Sequence, residues 1–259
     1  MTEIKLETQH LSRNFGALAA VQGIDFKLAA GARQALIGPN GAGKTTFINL
    51  LTGVLRPTQG RVLLAGRDIT GAAQAERVKL GIARTFQINR LFRGLSVLEN
   101  VCMAVTERAG AAGSMFFPAG RRTDIIGEAM GLLQMLKLAD AARHRVAELP
   151  YGRQRLIELA IAIALKPEVL LLDEPAAGVP SAESHIILDA IERLPEHIAV
   201  LIIEHDMDVV FRFAKRVTVM VGGAVFAEGT PREIEANQEV REVYLGQAGQ
   251  GTIPGMVHG

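Results

Sequence analysis

Eight residues, Gly38-Pro39-Asn40-Gly41-Ala42-Gly43-Lys44-Thr45, constrain the fold of this chain more than any other stretch. They come after a short apolar run, Gln34-Ala35-Leu36-Ile37, and precede Thr46-Phe47-Ile48-Asn49-Leu50-Leu51, which reads as a helix. A G-x-x-x-x-G-K-[ST] spacing between strand and helix is what a phosphate-binding loop requires. The glycines let the backbone turn tightly with its N–H groups inward, and the helix start adds partial positive charge. Lys44 is then placed to reach the outer phosphates of a nucleotide, the Thr45 hydroxyl to ligate Mg²⁺, and Thr46 to follow them at the site. A Gly-rich turn that binds nothing is the bland alternative, and the full pattern in this context argues against it.

The rest of the composition narrows the class. A chain of 259 residues, 49% of them hydrophobic, can bury the core of one large α/β domain or two small ones. Its longest unbroken apolar run, Leu159 to Leu165, is far short of the ~20 residues that span a bilayer. The start shows no charged-then-apolar leader with a cleavage site, so a cytosolic protein is expected, one apolar enough to dock on something. Cys102 is alone, which excludes disulfide frameworks and cysteine-type zinc sites. A net charge of +1 argues against a nucleic-acid partner.

Along the chain, Ile4, Leu6 and Thr8, then Ile24, Phe26 and Leu28, then Ala35 and Ile37 alternate. They predict an antiparallel β layer leading into the loop, with turns at Asn14–Gly16 and Ala30–Gly31. Phe15 falls in the first turn, where it serves either to stack on a base or as a buried turn aromatic; position alone favours the second. Next come a strand over Arg61–Gly66, a short helix over Ala72–Lys79 and a strand over Gly81–Gln87. From there to Arg155 the pattern is helical: Ser96–Arg108, with Ser96 and Glu99 as a capping box, and Asp124–Leu138. A Gly-rich loop around Phe116-Phe117-Pro118 separates them. A helix from Gly152 to before Pro167 then precedes buried strands at Val169–Leu172 and Ile198–Ile203. Helices over Ser181–Leu194 and Met207–Ala214, strands over Val217–Val221 and Ala224–Ala227, and a polar helical tail from Pro231 to Gly246 complete the pattern. Buried strands alternating with helices predict a parallel sheet.

Two strand ends carry candidate chemistry. Val169–Leu172 delivers Asp173 and Glu174 at its carboxyl end, the edge where open α/β sheets hold ligands. Asp173 fits the second-strand carboxylate beside Mg²⁺, directly or through one of the ion's waters, and Glu174 stands one residue out to polarise a water. Ile202–Asp206 repeats this delivery with His205 at its tip. The other histidines, His10, His144, His185, His197 and His258, lack metal spacing.

In this order the features resemble the ATP-binding subunits of ABC transporters over residues 4–246. The features are the phosphate loop, Thr85-Phe86-Gln87, a helical insertion, a Gly/Gln turn opening a helix, Leu170-Leu171-Leu172-Asp173-Glu174-Pro175 and a His strand end. The resemblance implies an α/β fold, a P-loop NTPase (RecA-like) parallel-sheet core with an N-terminal antiparallel β layer and an inserted α-helical subdomain. That subdomain is expected at about 88–155 and a flexible tail at 247–259. It also implies ATP and Mg²⁺, adenine stacking on Phe15, approach of Gln87 to the metal, Glu174 as catalytic base and His205 as the switch residue. The turn Leu149-Pro150-Tyr151-Gly152-Arg153-Gln154 would cap the ATP of a second subunit. It departs from the common Leu-Ser-Gly-Gly-Gln, since Pro150 lacks both a hydroxyl and an N–H. The stretch Ala176-Ala177-Gly178-Val179-Pro180 lacks the usual aspartate. Tyr151-Gly152, Glu174-Pro175-Ala176-Ala177-Gly178, Glu204-His205-Asp206-Met207 and Val243-Tyr244-Leu245-Gly246 look like the branched-chain (hydrophobic) amino-acid importers. The implied partners are a second ATP-binding subunit, membrane permeases and, indirectly, an extracytoplasmic solute-binding protein. The ATPase of a urea, amide or aromatic-acid uptake system or of lipopolysaccharide export, a non-transport ABC ATPase and a small-molecule kinase are the competing readings; the insertion with its turn argues against the kinase.

Overall fold

The computed structural model describes residues 3–85, 91–110 and 119–247, with the side chains of 119–122, 181–184 and 244–247 left undescribed. Gln87, the Phe116-Phe117-Pro118 loop and the tail beyond 247 lie outside the described residues.

Two sheets share the chain. β1 (Ile4–Phe15) and β2 (Leu18–Ala29) form a long hairpin, extended by β4 (Gln59–Leu64) and β5 (Arg67–Asp68) into an antiparallel sheet of order β2-β1-β4-β5. β3 (Arg33–Ile37) does not join this layer, as its alternation suggested. It enters the second sheet, parallel to β8 (Ala199–Ile203) on one side and β9 (Arg216–Val221) on the other. With β6 (Ile82–Arg84), β7 (Val169–Asp173) and β10 (Ala224–Gly229), the order is β10-β9-β3-β8-β7-β6. Only β10 runs antiparallel to its neighbour there.

Both faces of the parallel sheet are covered, which explains why its strands read as continuous apolar runs. Leu36, Leu171, Leu201 and Ile203 face a core shared with Leu6 and Phe26 of the hairpin and Phe47, Leu50 and Leu51 of α1 (Lys44–Leu51). Phe26 and Phe47 meet edge to face at 5.5 Å. Alternate residues, Ala35, Leu170, Leu172, Val200 and Ile202, face the second core. That core gathers α3 (Val97–Arg108), α4 (Ala119–Met135), α5 (Tyr151–Ala164), α6 (Ser181–Glu192) and α7 (Met207–Phe213).

Local corrections are few. α2 is confined to Gln74–Lys79. α4 begins at Ala119, inside the stretch read as loop, and stops at Met135, with Lys137 at φ +57° closing it. The tail is two helices, α8 (Pro231–Ala236) and α9 (Gln238–Gln247), parted at Asn237.

The helical subdomain is held by charge as well as packing. Arg108 of α3 forks onto Glu128 of α4 at 2.8 and 2.6 Å and also donates to the Ala164 carbonyl that ends α5. Its guanidinium holds the Glu128 carboxyl below the usual range. The capping box forms as expected: Ser96 Oγ accepts from Glu99 N at 3.2 Å while Glu99 Oε2 accepts from Ser96 N at 2.7 Å. Ser96→Ala is expected to cost about 1 kcal/mol in urea unfolding, the usual worth of a side-chain N-cap.

Candidate active site

Three parallel neighbours, β3, β8 and β7, end at the same sheet edge. Their carboxyl ends therefore bring three segments together: Gly38–Thr45 after β3, Glu204-His205 after β8, and Glu174 next to the last residue of β7, Asp173.

The loop after β3 is fixed by close backbone approach. A Cβ on Gly38 would lie 2.2 Å from the Met220 carbonyl, and one on Gly43 2.3 Å from that of Ala20, with φ +94° at Gly43 besides. Gly41, at φ +79°, faces open space. Ala42 is buried; its carbonyl accepts from Gly223 N at 3.0 Å, and its N–H donates to Pro39 O at 3.1 Å. Asn40 and Thr45 lie at the surface. Lys44 Nζ donates to the carbonyls of Gly38 at 2.5 Å and Pro39 at 2.9 Å, so the ammonium stays at the loop. Burial lowers its pKa, opposed by the charges of Glu174 and Asp173.

Glu174 adopts φ +44°, an uncommon conformation for a non-glycine residue and one that functional sites often carry. Its N–H still donates to Ile203 O at 3.0 Å. His205 Nδ1 lies 3.7 Å from Glu174 Oε1 and 3.9 Å from Glu204 Oε2, an imidazole between two carboxylates. The His205 side chain is 70% exposed and that of Glu174 30%, so both are open to a ligand from solvent.

A family model described as "ABC transporter" matches residues 21–177, more than half of this chain. The chain belongs to the ABC transporter family. A second model, "Branched-chain amino acid ATP-binding cassette transporter", matches residues 224–249. Among curated relatives, the high-affinity branched-chain amino acid transport ATP-binding protein LivG of Salmonella typhimurium is 37% identical, covering 96% of this chain and 100% of its own. BraF of Pseudomonas aeruginosa, described in the same words, is 38% identical over 94% and 98%. The crystal structure of an ABC transporter cassette in its ADP conformation superposes with a TM-score of 0.83 at 30% identity, covering 95% of this chain and 100% of that one. This is an ATP-hydrolysing transporter subunit on a P-loop NTPase fold.

Within this ABC ATPase, the turn opening α5 presents Pro150 and Tyr151 to solvent and buries Gly152 and Gln154. Pro150 is the N-cap, without a side-chain cap bond. Gln154 Nε2 closes the turn onto Leu149 O at 2.8 Å, and Arg153 is held by both oxygens of Asp140 at 2.7 Å. Tyr151 packs against Gly178 of the turn that comes after Glu174, with the Arg155 guanidinium 5.2 Å from its ring. Phe15 ends β1 and is 43% exposed, with the Arg13 guanidinium 4.7 Å from its ring, so it is not the buried turn aromatic that position favoured.

The donor set fits a hydrated Mg²⁺. Among the described residues no group of three or more His, Cys, Asp or Glu could hold a metal. The exposed Thr45 hydroxyl and the Asp173 carboxylate have instead the donor chemistry that would suit an ion that keeps waters and takes substrate phosphates. Among the described residues, no helix is long and apolar enough to cross a membrane.

Sequence reasoning missed Glu204. It is 3% exposed, Oε2 accepts from His205 N at 3.3 Å, and Oε1 is buried without a hydrogen-bond partner. Burial raises its pKa to about 7, only partly offset by His205. Because the folded value lies above the ordinary 4.5, the folded state binds the extra proton between these limits, and stability is lost as pH rises through 7. Glu204→Gln, neutral throughout, is expected to match wild type near pH 4.5. By pH 8 its relative stability should rise by up to about 3 kcal/mol, read from urea midpoints at each pH.

Proposed function

We infer that this ABC ATPase powers uptake of branched-chain or other hydrophobic amino acids, working as a dimer beneath membrane permease subunits on the inner face of the cell membrane. The observation that carries the reading is the meeting of the Lys44 loop, Asp173-Glu174 and His205 at one sheet edge. The amino-acid class is supported by the names of relatives 37% and 38% identical over nearly the whole chain.

In this reading Phe15 offers its exposed face to the adenine, and the N–H groups of the loop, Lys44 and Thr46 bind the phosphates. Thr45 and Asp173, with Gln87, would hold Mg²⁺, and the ion would supply positive charge to the phosphates there. Glu174 takes the proton of the attacking water, and His205 holds that water against the γ-phosphate. The signature turn of a second ATP-binding subunit, in a homodimer or a heterodimer, closes over the nucleotide, as Leu149–Gln154 of this chain, exposed at Pro150 and Tyr151, closes over the partner's. A lone chain then binds ATP and hydrolyses it poorly. An extracytoplasmic solute-binding protein would deliver the amino acid to the permeases.

Deleting the gene and measuring uptake of radiolabelled leucine, isoleucine and valine tests this. Loss of uptake, restored by the wild-type gene and not by Glu174→Gln, is expected. Unchanged uptake of all three would overturn the amino-acid assignment.

A further inference from the structure

The carboxylate that ends β7 has a cationic partner with no task in the proposed hydrolysis. Arg84, the last residue of β6, donates from Nη2 to Asp173 Oδ2 at 2.5 Å and from Nη1 to Asn49 Oδ1 at 2.7 Å. The Arg84 side chain is 12% exposed and that of Asp173 5%, so solvent screens this pair little. Arg84 Nε is buried with no hydrogen-bond partner, while the two outer nitrogens are both engaged. In the sheet register Arg84 lies opposite Leu171, so its side chain reaches along β7 to Asp173. Asn49 belongs to α1, the helix that opens with Lys44 and Thr45. One guanidinium thus spans the phosphate-loop helix and the acidic strand end.

We propose that Arg84 is a positioning residue for the divalent cation, fixing the Asp173 carboxylate relative to α1 so that Asp173 and Thr45 serve the same ion. The inference rests on the reading of Asp173 and Thr45 as the metal donors. A carboxylate bound at one oxygen by a rigid donor keeps its other oxygen in a defined direction and loses no rotational freedom when the cation arrives. The nearby positive charge weakens the Coulomb attraction of Asp173 for the ion, and orientation outweighs that loss here. Lysine cannot replace the residue in full, because a point charge cannot hold Asn49 and Asp173 in one plane as the guanidinium fork does.

The test measures binding of a fluorescent ADP analogue to the full chain in EDTA and in excess Mg²⁺, with Mn²⁺ affinity in the presence of ADP read by electron paramagnetic resonance. For Arg84→Gln, affinity in EDTA should stay within about twofold of wild type, while the gain from Mg²⁺ and the Mn²⁺ affinity fall by about 10-fold or more. Arg84→Lys should lie between. Asn49→Ala, which leaves the Asp173 pair intact, should lose only about 2- to 3-fold, less than the roughly 10-fold or more that loss of a direct outer partner costs. Arg84→Lys and Asn49→Ala keep the test open should Arg84→Gln not fold. A Mg²⁺ gain equal to wild type, or a tighter metal, in folded Arg84 variants would overturn the proposal. Equal losses with and without metal would do so too, marking a structural role only. A wild-type chain that binds nucleotide with no response to Mg²⁺ would instead overturn Asp173 and Thr45 as metal donors, and this inference with them.

Discussion

Replacing Glu174 by glutamine should leave ATP binding intact and slow turnover by about 10²–10⁴-fold, the usual worth of a positioned general base. The amide keeps the size and the backbone conformation of the residue, so the φ +44° turn and the Glu174 N to Ile203 O bond survive. The variant loses the carboxylate proposed to take the proton, and with it one of the two carboxylates flanking His205. In the proposed site nucleotide affinity resides across the edge, in Lys44 and the loop, and should change by less than about 3-fold. Steady-state phosphate release and equilibrium binding of the same preparation check both halves. Near-normal turnover would remove Glu174 from the chemistry; lost binding would make it a binding residue.

The second large effect is on stability. Arg77, 1% exposed, donates to Leu50 O at 2.7 Å, Leu51 O at 2.8 Å, Thr70 O at 2.9 Å and Ala72 O at 3.1 Å. Two of these carbonyls belong to the last turn of α1, where the helix dipole is negative and no intrahelical donor remains. The guanidinium is thus held by backbone oxygens in place of water, and burial shifts its pKa down, opposed by the charge of Asp68. Arg77→Met fills a similar volume but takes the guanidinium donors from these carbonyls, of which Leu50 O keeps Gly53 N at 3.4 Å. A loss of about 3–5 kcal/mol is expected, in the range for breaking a buried charged network, measured by urea unfolding without nucleotide. Arg77→Lys should recover part of it, since an ammonium can donate three bonds in place of the fork. A loss below about 1 kcal/mol for Arg77→Met would mean that water replaces the guanidinium.

Legibility in the sequence depends on how far along the chain each code reaches. The phosphate loop and the Ser96–Glu99 capping box are written in contiguous residues, and a reader of local pattern finds them. Asp173, Glu174 and His205 were legible because an apolar run before a polar residue marks the end of a buried strand. Arg77 and Arg84 were not, because the partners of Arg77 on α1 lie 26 and 27 residues away, those of Arg84 35 and 89, and nothing in α2 or β6 announces them. Glu204 was hidden for another reason: at the polar end of its strand nothing in the sequence tells a buried carboxylate from an exposed one, and only tertiary packing buries it. The assignment of β3 failed on alternation. Ala35 and Ile37 have the period of a half-buried strand, yet Gln34 through Ile37 are all buried, because helices lie on one face and the hairpin on the other.

The position of β3 in its sheet has a consequence for synthesis. The strand that feeds the phosphate loop emerges early, but its two hydrogen-bonding neighbours begin at Ala199 and Arg216. The loop itself rests on the Met220 carbonyl and the Gly223 N–H. Pairings so distant along the chain form late. A growing polypeptide therefore carries Gly38–Thr45 outside the ribosome long before the strands that flank β3 can shape it. A product truncated ahead of β9 would hold the motif in full, yet have no cradle for a phosphate.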